Sequence, residues 1–314
     1  MGLTLDIIEP GFLTSVQDMG RRGFQHLGFS VGGAVDARSL AFANHLVGNP
    51  RGWAALELTV RGPRVRFRGR AVVAVVGAAP LVLANGAVVA ANRTLALEPD
   101  CELAVPSMGG ARSYLAVAGG VAVPAMLGSR STDLVAGIGG VAGRPLKAGD
   151  VLAIGEPPAA VGVRKLRPAF EPVAPERLQV QFGAGPQHER LSRERMQLVG
   201  EVFEVSSQSD RMGIRLGGRA ITGERQQVLS EGQPAGAIQL PAGGLPIVLL
   251  AGRQTVGGYP KLGVVAPRGL ADLGQALPGV QVSFEFVDLP ELESATRRWL
   301  QTVAAPSLVT EPCF

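Results

Sequence analysis

Hydrophobic and polar positions along this chain alternate with a period of two, or fall in short apolar runs, far more often than they follow a helical period. Arg64, Arg66, Arg68 and Arg70 alternate with Val65 and Phe67, which predicts a strand with one basic and one apolar face. The basic face reads as a solvated strand edge that discourages edge-to-edge pairing; a contact surface for an acidic partner is the rarer use. Leu81–Leu83 and Val88–Val89 flank Asn85-Gly86, a dipeptide suited to a type I′ hairpin turn. Ala71–Ala79 and Leu245–Ala251 have the length of buried strands. Pro99-Asp100 separates two more candidates, Arg93–Glu98 and Glu102–Val105, and the pattern recurs in Arg112–Ala118, Val151–Ile154, Leu178–Phe182, Ala237–Leu240 and Val280–Phe286. Two helices stand out. Asp36 caps the first, with Leu40, Ala43 and Val47 on one side and Gly48 placed to end it. Asp288 and Glu291 form a capping box for the second, whose apolar residues are Leu292, Ala295, Trp299, Leu300 and Val303.

Composition agrees with an all-β chain. Gly and Pro (43 and 23 of 314 residues) make up about a fifth of it, against an average of roughly 12%. Both are poor in helix interiors and favour short strands joined by tight turns. With 46% apolar and 18% charged residues the chain has ample material for a core, and its length favours two domains. The stretch from Gly155 to Arg177, with Pro157, Pro158, Pro168, Pro172 and Pro175, is the best boundary. The expected organisation is therefore a domain over 1–160, a proline-rich linker over 161–177, a second domain over 178–288, and a helix with its tail over 289–314. Loose matches between Gln17–Arg21 and Ser209–Gly213, and between Gly33–Asp36 and Gly236–Gln239, raise a duplication.

The net charge of +4 resides almost wholly in arginine, the lysines being Lys147, Lys165 and Lys261. Acidic residues are interspersed throughout, with no basic tail or zinc-finger spacing, so nucleic-acid binding is not expected. Cys101 and Cys313 make no disulfide framework, Asp6 and Glu9 interrupt any leader-like apolar run, and no apolar stretch reaches membrane-span length, which predicts a cytoplasmic protein without a membrane contact.

Gly28-Phe-Ser30-Val-Gly32 matches a nucleophile-elbow pattern, but the next helix starts only near Asp36, so a glycine-rich turn is the better reading. None of the lysines completes a phosphate-binding loop, and His26, His45 and His188 lack metal-ligand spacing, so no metal is expected. Gln254-Thr-Val-Gly-Gly-Tyr-Pro-Lys261 is richer. Gly257 and Gly258 permit close backbone approach to a ligand, while Thr255, Tyr259 and Lys261 gather a hydroxyl, a phenol and a scarce ammonium. A glycine-rich β-turn explains the same residues. Ser209, Asp210 and Arg211, like Gln17, Asp18 and Arg21, are either surface pairs that brace turns or groups facing an interdomain cleft.

The residues then carry a resemblance. Pro10–Arg21, Gly33–Asp36, Ala43-Asn44, Gly48-Asn49, Leu56-Glu57, Tyr114–Gly120, Gly128–Asp133 and Gly149-Asp150 are similar, in order, to the biotin-dependent carboxyltransferase family, whose members are called allophanate hydrolase subunit 2, KipI antagonist KipA or the C subunit of 5-oxoprolinase. Gly185–Gln187, Ser209–Gly213, Ser230–Gly232, Gly236–Gln239 and Gln254–Lys261 continue it. The resemblance implies two tandem cyclophilin-like β-barrel domains with a few short helices and a C-terminal helix. It also implies the C subunit of an ATP-dependent 5-oxoprolinase, acting with KipI-like (B) and LamB/YcsF-like (A) subunits; ATP is used through the complex, since this chain alone has no ATP motif. Two alternatives accompany it. One is urea-type carboxyl transfer from carboxybiotin on a separate carrier, supplied with a biotin carboxylase. The other is a non-enzymatic regulator of a KipI-like inhibitor. The implied site has Tyr259, Lys261, Asp210 and Arg211 as catalytic residues, with Gln17, Asp18, Arg21, Ser209, Gln239, Thr255, Gly257 and Gly258 binding substrate. Gly257 and Gly258 donate N–H groups to a carbonyl oxygen, Tyr259 donates or orients a proton, and Lys261 pairs with a substrate carboxylate. Gly252 and Arg268 stand where the family has aspartates, replacing two carboxylates around the loop.

Overall fold

The computed structural model describes residues 2–158, 162–223, 228–305 and 308–310. Cys313 and the boundary residue Ala160 lie outside them. The chain forms two compact units. The first comprises residues 1–21, 32–174 and 302–314, and the second residues 22–31 and 175–301. Residues 162–174 thus group with the first unit: Leu166 is buried, and Phe170 meets Phe42 edge-on at 6.3 Å.

In the first unit one sheet runs, from edge to edge, Val151–Ala153, Thr4–Glu9, Arg64–Phe67, Glu102–Ser107, Leu81–Ala84 and Ala87–Val89. A second runs Leu13–Gln17, Ala55–Thr59, Arg112–Val117, Ala71–Gly77 and Leu95–Leu97. Leu5, Val65, Phe67 and Leu103 from the first sheet share one core with Val16, Leu56, Val73 and Leu115 from the second. The arginine-rich strand is interior, which corrects the edge reading. It lies between Thr4–Glu9 and Glu102–Ser107, and those neighbours supply the counter-charges. Arg64 bonds Glu9 at 2.7 Å and Glu102 at 3.3 Å, Arg66 bonds Glu102, and Arg68 bonds Asp6 at 2.6 Å. Cross-strand charge pairing, rather than an exposed edge, explains the alternation.

The hairpin turn forms as its dipeptide predicts, with φ of 47° at Asn85 and 82° at Gly86, the doubly positive signature of type I′. Asp36 caps the helix Ala37–Leu46 by accepting from the Ser39 N–H at 3.1 Å. Asp36 is itself held, because its N–H donates to the Tyr114 hydroxyl at 2.8 Å and that hydroxyl donates to Glu57 Oε2 at 2.8 Å. Glu57 Oε2 also accepts from the Val35 N–H at 2.9 Å. Burial, reinforced by the Asp36 charge, raises the Tyr114 phenol well above its ordinary range, so it stays a donor.

The second unit is a closed barrel in the order Arg177–Ala184, Lys261–Val265, Ala237–Gln239, Ile247–Leu249, Gly213–Gly217, Val202–Val205 and Gln281–Phe286. Closure is parallel between the first and last of these strands, and every other pairing is antiparallel. Phe182, Phe203, Phe284 and Phe286 meet edge-on at 5.6–6.1 Å. Gly263 makes room for this ladder, since a Cβ there would collide with the Phe182 ring. The C-terminal helix spans Leu289–Ala304, opened by the Leu292 N–H on Asp288 O. No described helix is long and apolar enough to cross a membrane.

The duplication does not survive at its second pair. Gly33–Asp36 leads into a helix cap, whereas Gly236–Gln239 enters a barrel strand, Ala237–Gln239. A short motif of small residues fits both because it constrains little.

Tyr114→Phe removes the hydroxyl that both Asp36 N–H and Glu57 require, leaving buried polar groups unmet. We expect a loss of about 1–3 kcal/mol in urea unfolding with an unchanged m-value; a loss below a few tenths would show the hydroxyl to be dispensable.

Candidate functional site

In the first unit, Asp18 is a knot. Its carboxylate accepts from Gly20 N at 2.8 Å, Ser129 Oγ at 2.6 Å, Arg130 N at 2.6 Å and Ser131 Oγ at 2.5 Å. Arg21 is fully buried, donates to Ser131 O at 2.5 Å and lies 3.8 Å from Asp133. Gln17 donates to Ser15 Oγ and to Thr132 O. These three residues therefore hold the Gly128–Asp133 loop against the end of the Leu13–Gln17 strand.

In the second unit the glycine loop is built around a buried lysine. Lys261 begins a barrel strand and is 1% exposed. Its ammonium bonds Glu231 Oε1, which also accepts from Gln187 Nε2 at 2.8 Å, and the Lys261 N–H donates to Gln187 Oε1 at 3.1 Å. The Lys261 hydrogen bond, with help from Gln187, holds the Glu231 carboxyl below its ordinary range against the opposing effect of burial.

Glu231-Gly232 pairs as a two-residue strand with Val256-Gly257. Gln233 spans the join: its Nε2 donates to Gly257 O at 2.9 Å and Glu231 O at 3.0 Å, and its Oε1 accepts from Gln239 Nε2 at 3.0 Å. A Cβ on Gly257 would lie 3.2 Å and 3.3 Å from the Gln233 and Gln239 amides. A Cβ on Gly258 would lie 3.0 Å from Val228 O. The close approach that the glycines allow is thus made by the protein's own amides and main chain. Tyr259, 40% exposed, stands on the same loop, and Thr255 O accepts from Gln233 N at 2.9 Å.

Ser209 and Asp210 serve their own turn. Asp210 Oδ1 accepts from Met212 N at 2.7 Å and Gly213 N at 3.2 Å, and Ser209 Oγ accepts from Arg215 N at 3.0 Å. Arg211 adjoins the start of the glycine loop, because its carbonyl accepts from Gly252 N at 2.8 Å. Burial brings the Arg211 guanidinium down to about 10. A Cβ at Gly252 would sit 3.1 Å from that carbonyl, so the missing aspartate leaves a tight main-chain contact. Arg268 is mostly exposed and sits 3.9 Å from Asp272 one helical turn on. Ser30 of the elbow-like motif donates to Ala251 O at 3.3 Å, with no helix directly following. An open concavity of about 570 Å³ elsewhere in the barrel, walled by Val202–Ser207 and Pro278–Gly279, contains none of the loop residues.

Residue types and spacing did not single out Glu231, Gln187, Gln233 or Arg253. Gln187 and Glu231 lie 74 and 30 residues from Lys261 in sequence and meet it only in the fold; the signal available for these two was their presence in the runs Gly185–Gln187 and Ser230–Gly232. Together these residues form a network of mutually bonded carboxamides beside a neutralised ammonium–carboxylate pair, which fixes the glycine loop.

Comparison with known proteins shows the family. Residues 27–286 match the family model described as carboxyltransferase domain, subdomain A and B. The C subunit of the Escherichia coli 5-oxoprolinase is 37% identical over 91% of this chain and 92% of its own length. The solved structure of TTHA0988 has a TM-score of 0.83 at 36% identity over 90% of this chain, which spans 56% of that protein. The Kluyveromyces lactis urea carboxylase structure has a TM-score of 0.85 at 27% identity over 96% of this chain, which spans 29% of that one. The sequence runs, the closed barrel and these matches together make the chain a member of the carboxyltransferase domain A and B family.

Proposed function

We propose that this chain is the C subunit of an ATP-dependent 5-oxoprolinase that opens the 5-oxoproline lactam to glutamate. The observation that carries this reading is the end-to-end likeness to the E. coli 5-oxoprolinase C subunit, 91% of one chain against 92% of the other. The word subunit in that name implies partners, and KipI-like (B) and LamB/YcsF-like (A) subunits are those we expect. No phosphate-binding loop occurs in this sequence, so ATP is handled by a partner or a shared interface, in the cytoplasm.

A lactam presents one N–H donor and one C=O acceptor, the complement of a carboxamide. In this reading the Gln187, Gln233 and Gln239 amides give the Gly257–Tyr259 loop its shape, and main-chain N–H groups of Gly257 and Gly258 receive the carbonyl oxygen as negative charge develops on it. Water adds to the carbonyl carbon to form the new C–O bond, Tyr259 hands a proton to the ring nitrogen as the C–N bond breaks, and the proton released by the water restores the phenol. Lys261 acts on the loop through Glu231 rather than on the substrate, because its ammonium is already matched.

A second reading has an observation of its own, the TM-score of 0.85 with a urea carboxylase over 96% of this chain. Carboxybiotin would supply the carboxyl group. None of Lys147, Lys165 and Lys261 is flanked by methionine, so the cofactor would be attached to a separate carrier. Its ureido group has the same donor and acceptor character as a lactam.

The chain assembled with its B and A partners is expected to release glutamate from 5-oxoproline and ATP. No glutamate, together with urea carboxylation from a biotinyl carrier, would replace the first reading with the second; binding without any turnover would leave a regulator of a KipI-like protein. Lys261→Met keeps the length and removes the charge, and should lower turnover at least about tenfold with a stability loss of about 1–3 kcal/mol, below the usual cost of a broken buried pair because Glu231 is partly exposed. Unchanged turnover would remove the pair from the mechanism. Because the folded Glu231 carboxyl is depressed, its contribution is full above the ordinary carboxylate pKa of roughly 4.3 and is lost as pH falls through the lower folded value. Thermal melts from pH 7 to pH 3 should therefore show a shallower acid-side loss for Glu231→Gln than for the wild type, and identical slopes would count against the pair.

A further inference from the structure

We infer that the Arg253 guanidinium is the anchor for the carboxylate of the substrate, an inference that rests on the 5-oxoproline reading. The guanidinium is fixed at two of its three nitrogens. Nε donates to Gln233 O at 2.8 Å and Nη1 donates to Leu250 O at 3.3 Å. Both acceptors are neutral carbonyls, Nη2 has no hydrogen-bond partner among the described residues, and none of the described carboxylates pairs with Arg253. One Nη1 hydrogen and both Nη2 hydrogens remain to donate to a carboxylate, the group a guanidinium binds best.

The surroundings supply positive charge without offsetting it at this turn. Burial first, and the Arg22 charge second, pull the Arg253 guanidinium below the usual arginine range, and a bound anion supplies the counter-charge that its surroundings lack. Ser30 Oγ on Ala251 O carries the Arg22–Val31 segment to the base of the same turn within the second unit. Gly252 contributes no carboxylate beside Arg253, and the Asp210 carboxylate faces the amides of its own turn. Lys261, the residue that sequence reading assigned to this task, is 1% exposed and paired with Glu231.

Location supports the assignment. Gln233, whose carbonyl receives Arg253 Nε, also donates to Gly257 O and accepts from Gln239. One residue thus joins the guanidinium to the amide set proposed for the lactam. A 5-oxoproline molecule has its carboxylate on the carbon next to the ring nitrogen, so a fixed cation beside the lactam site selects it over an uncharged lactam.

The test uses the assembled complex with wild type, Arg253→Lys and Arg253→Gln chains, and pyrrolidin-2-one as the lactam without a carboxylate. Arg253→Gln should raise KM for 5-oxoproline about 10- to 100-fold with kcat little changed, Arg253→Lys should recover part of the loss, and inhibition by pyrrolidin-2-one should be the same in all three. An unchanged KM, or a parallel loss of pyrrolidin-2-one inhibition, overturns the anchor, the latter by showing a merely structural role. Should the wild-type complex release no glutamate, the 5-oxoproline reading itself fails, and the anchor is then judged by phenylglyoxal modification of the full chain read by mass spectrometry. Protection of Arg253 by millimolar 5-oxoproline, but not by pyrrolidin-2-one, supports a carboxylate site; equal labelling in both overturns it.

Discussion

An ammonium taken out of water must meet a counter-charge or give up its proton, and much of the second unit is arranged around that requirement at Lys261. Glu231 answers it, and the two-residue strand that carries Glu231 is thereby fixed against Val256-Gly257. Gln187 closes the circuit by accepting from the Lys261 main chain and donating to the same carboxylate. The glycine loop consequently owes its shape to charge pairing, although its sequence reads as a flexible turn. A network satisfied at each member rigidifies, whereas a partly satisfied one destabilises, so a single change at Lys261, Glu231 or Gln187 propagates to the others.

The first unit uses carboxylates in the same way but without a buried ammonium. Asp18 collects two hydroxyls and two main-chain N–H groups, and Glu57 collects a phenol and a main-chain N–H. Each carboxylate fixes a segment that has no regular structure of its own, the Gly128–Asp133 loop in one case and the approach to the first helix in the other. Loops gain order where they offer several donors to one acceptor. This explains why the polar runs of the sequence are dense in serine, aspartate and glycine.

Local chemistry was legible where neighbours in sequence determine it. Asp36 capping, the Asn85-Gly86 turn and the helix after Asp288 all follow from residues within four positions of one another. Arg64–Arg70 was legible as a strand but not as an interior one, because its counter-charges come from Asp6, Glu9 and Glu102, and only strand order brings them alongside. The loop Gln254–Lys261 was legible as the place where chemistry concentrates. The roles within it were not, since a lysine's charge reads as available until its partner, thirty residues earlier, is known. Gly257 similarly read as space for a ligand, and the space is taken by two glutamine side chains.

The grouping of residues 22–31 with the second unit, and of residues 302–314 with the first, has a consequence for biosynthesis. A ribosome delivers the chain in order, yet the strand Arg164–Leu166 finds its partner only in Leu308–Thr310, and the barrel strand Arg177–Ala184 finds its parallel neighbour only in Gln281–Phe286. Each of these pairings therefore waits until its later strand has been made. Such long-range closure is slow and leaves unpaired strand edges exposed in the nascent chain. Neither unit corresponds to a contiguous piece of the gene, so a nonsense codon just ahead of Leu308 removes a strand from the first unit while sparing every residue of the second.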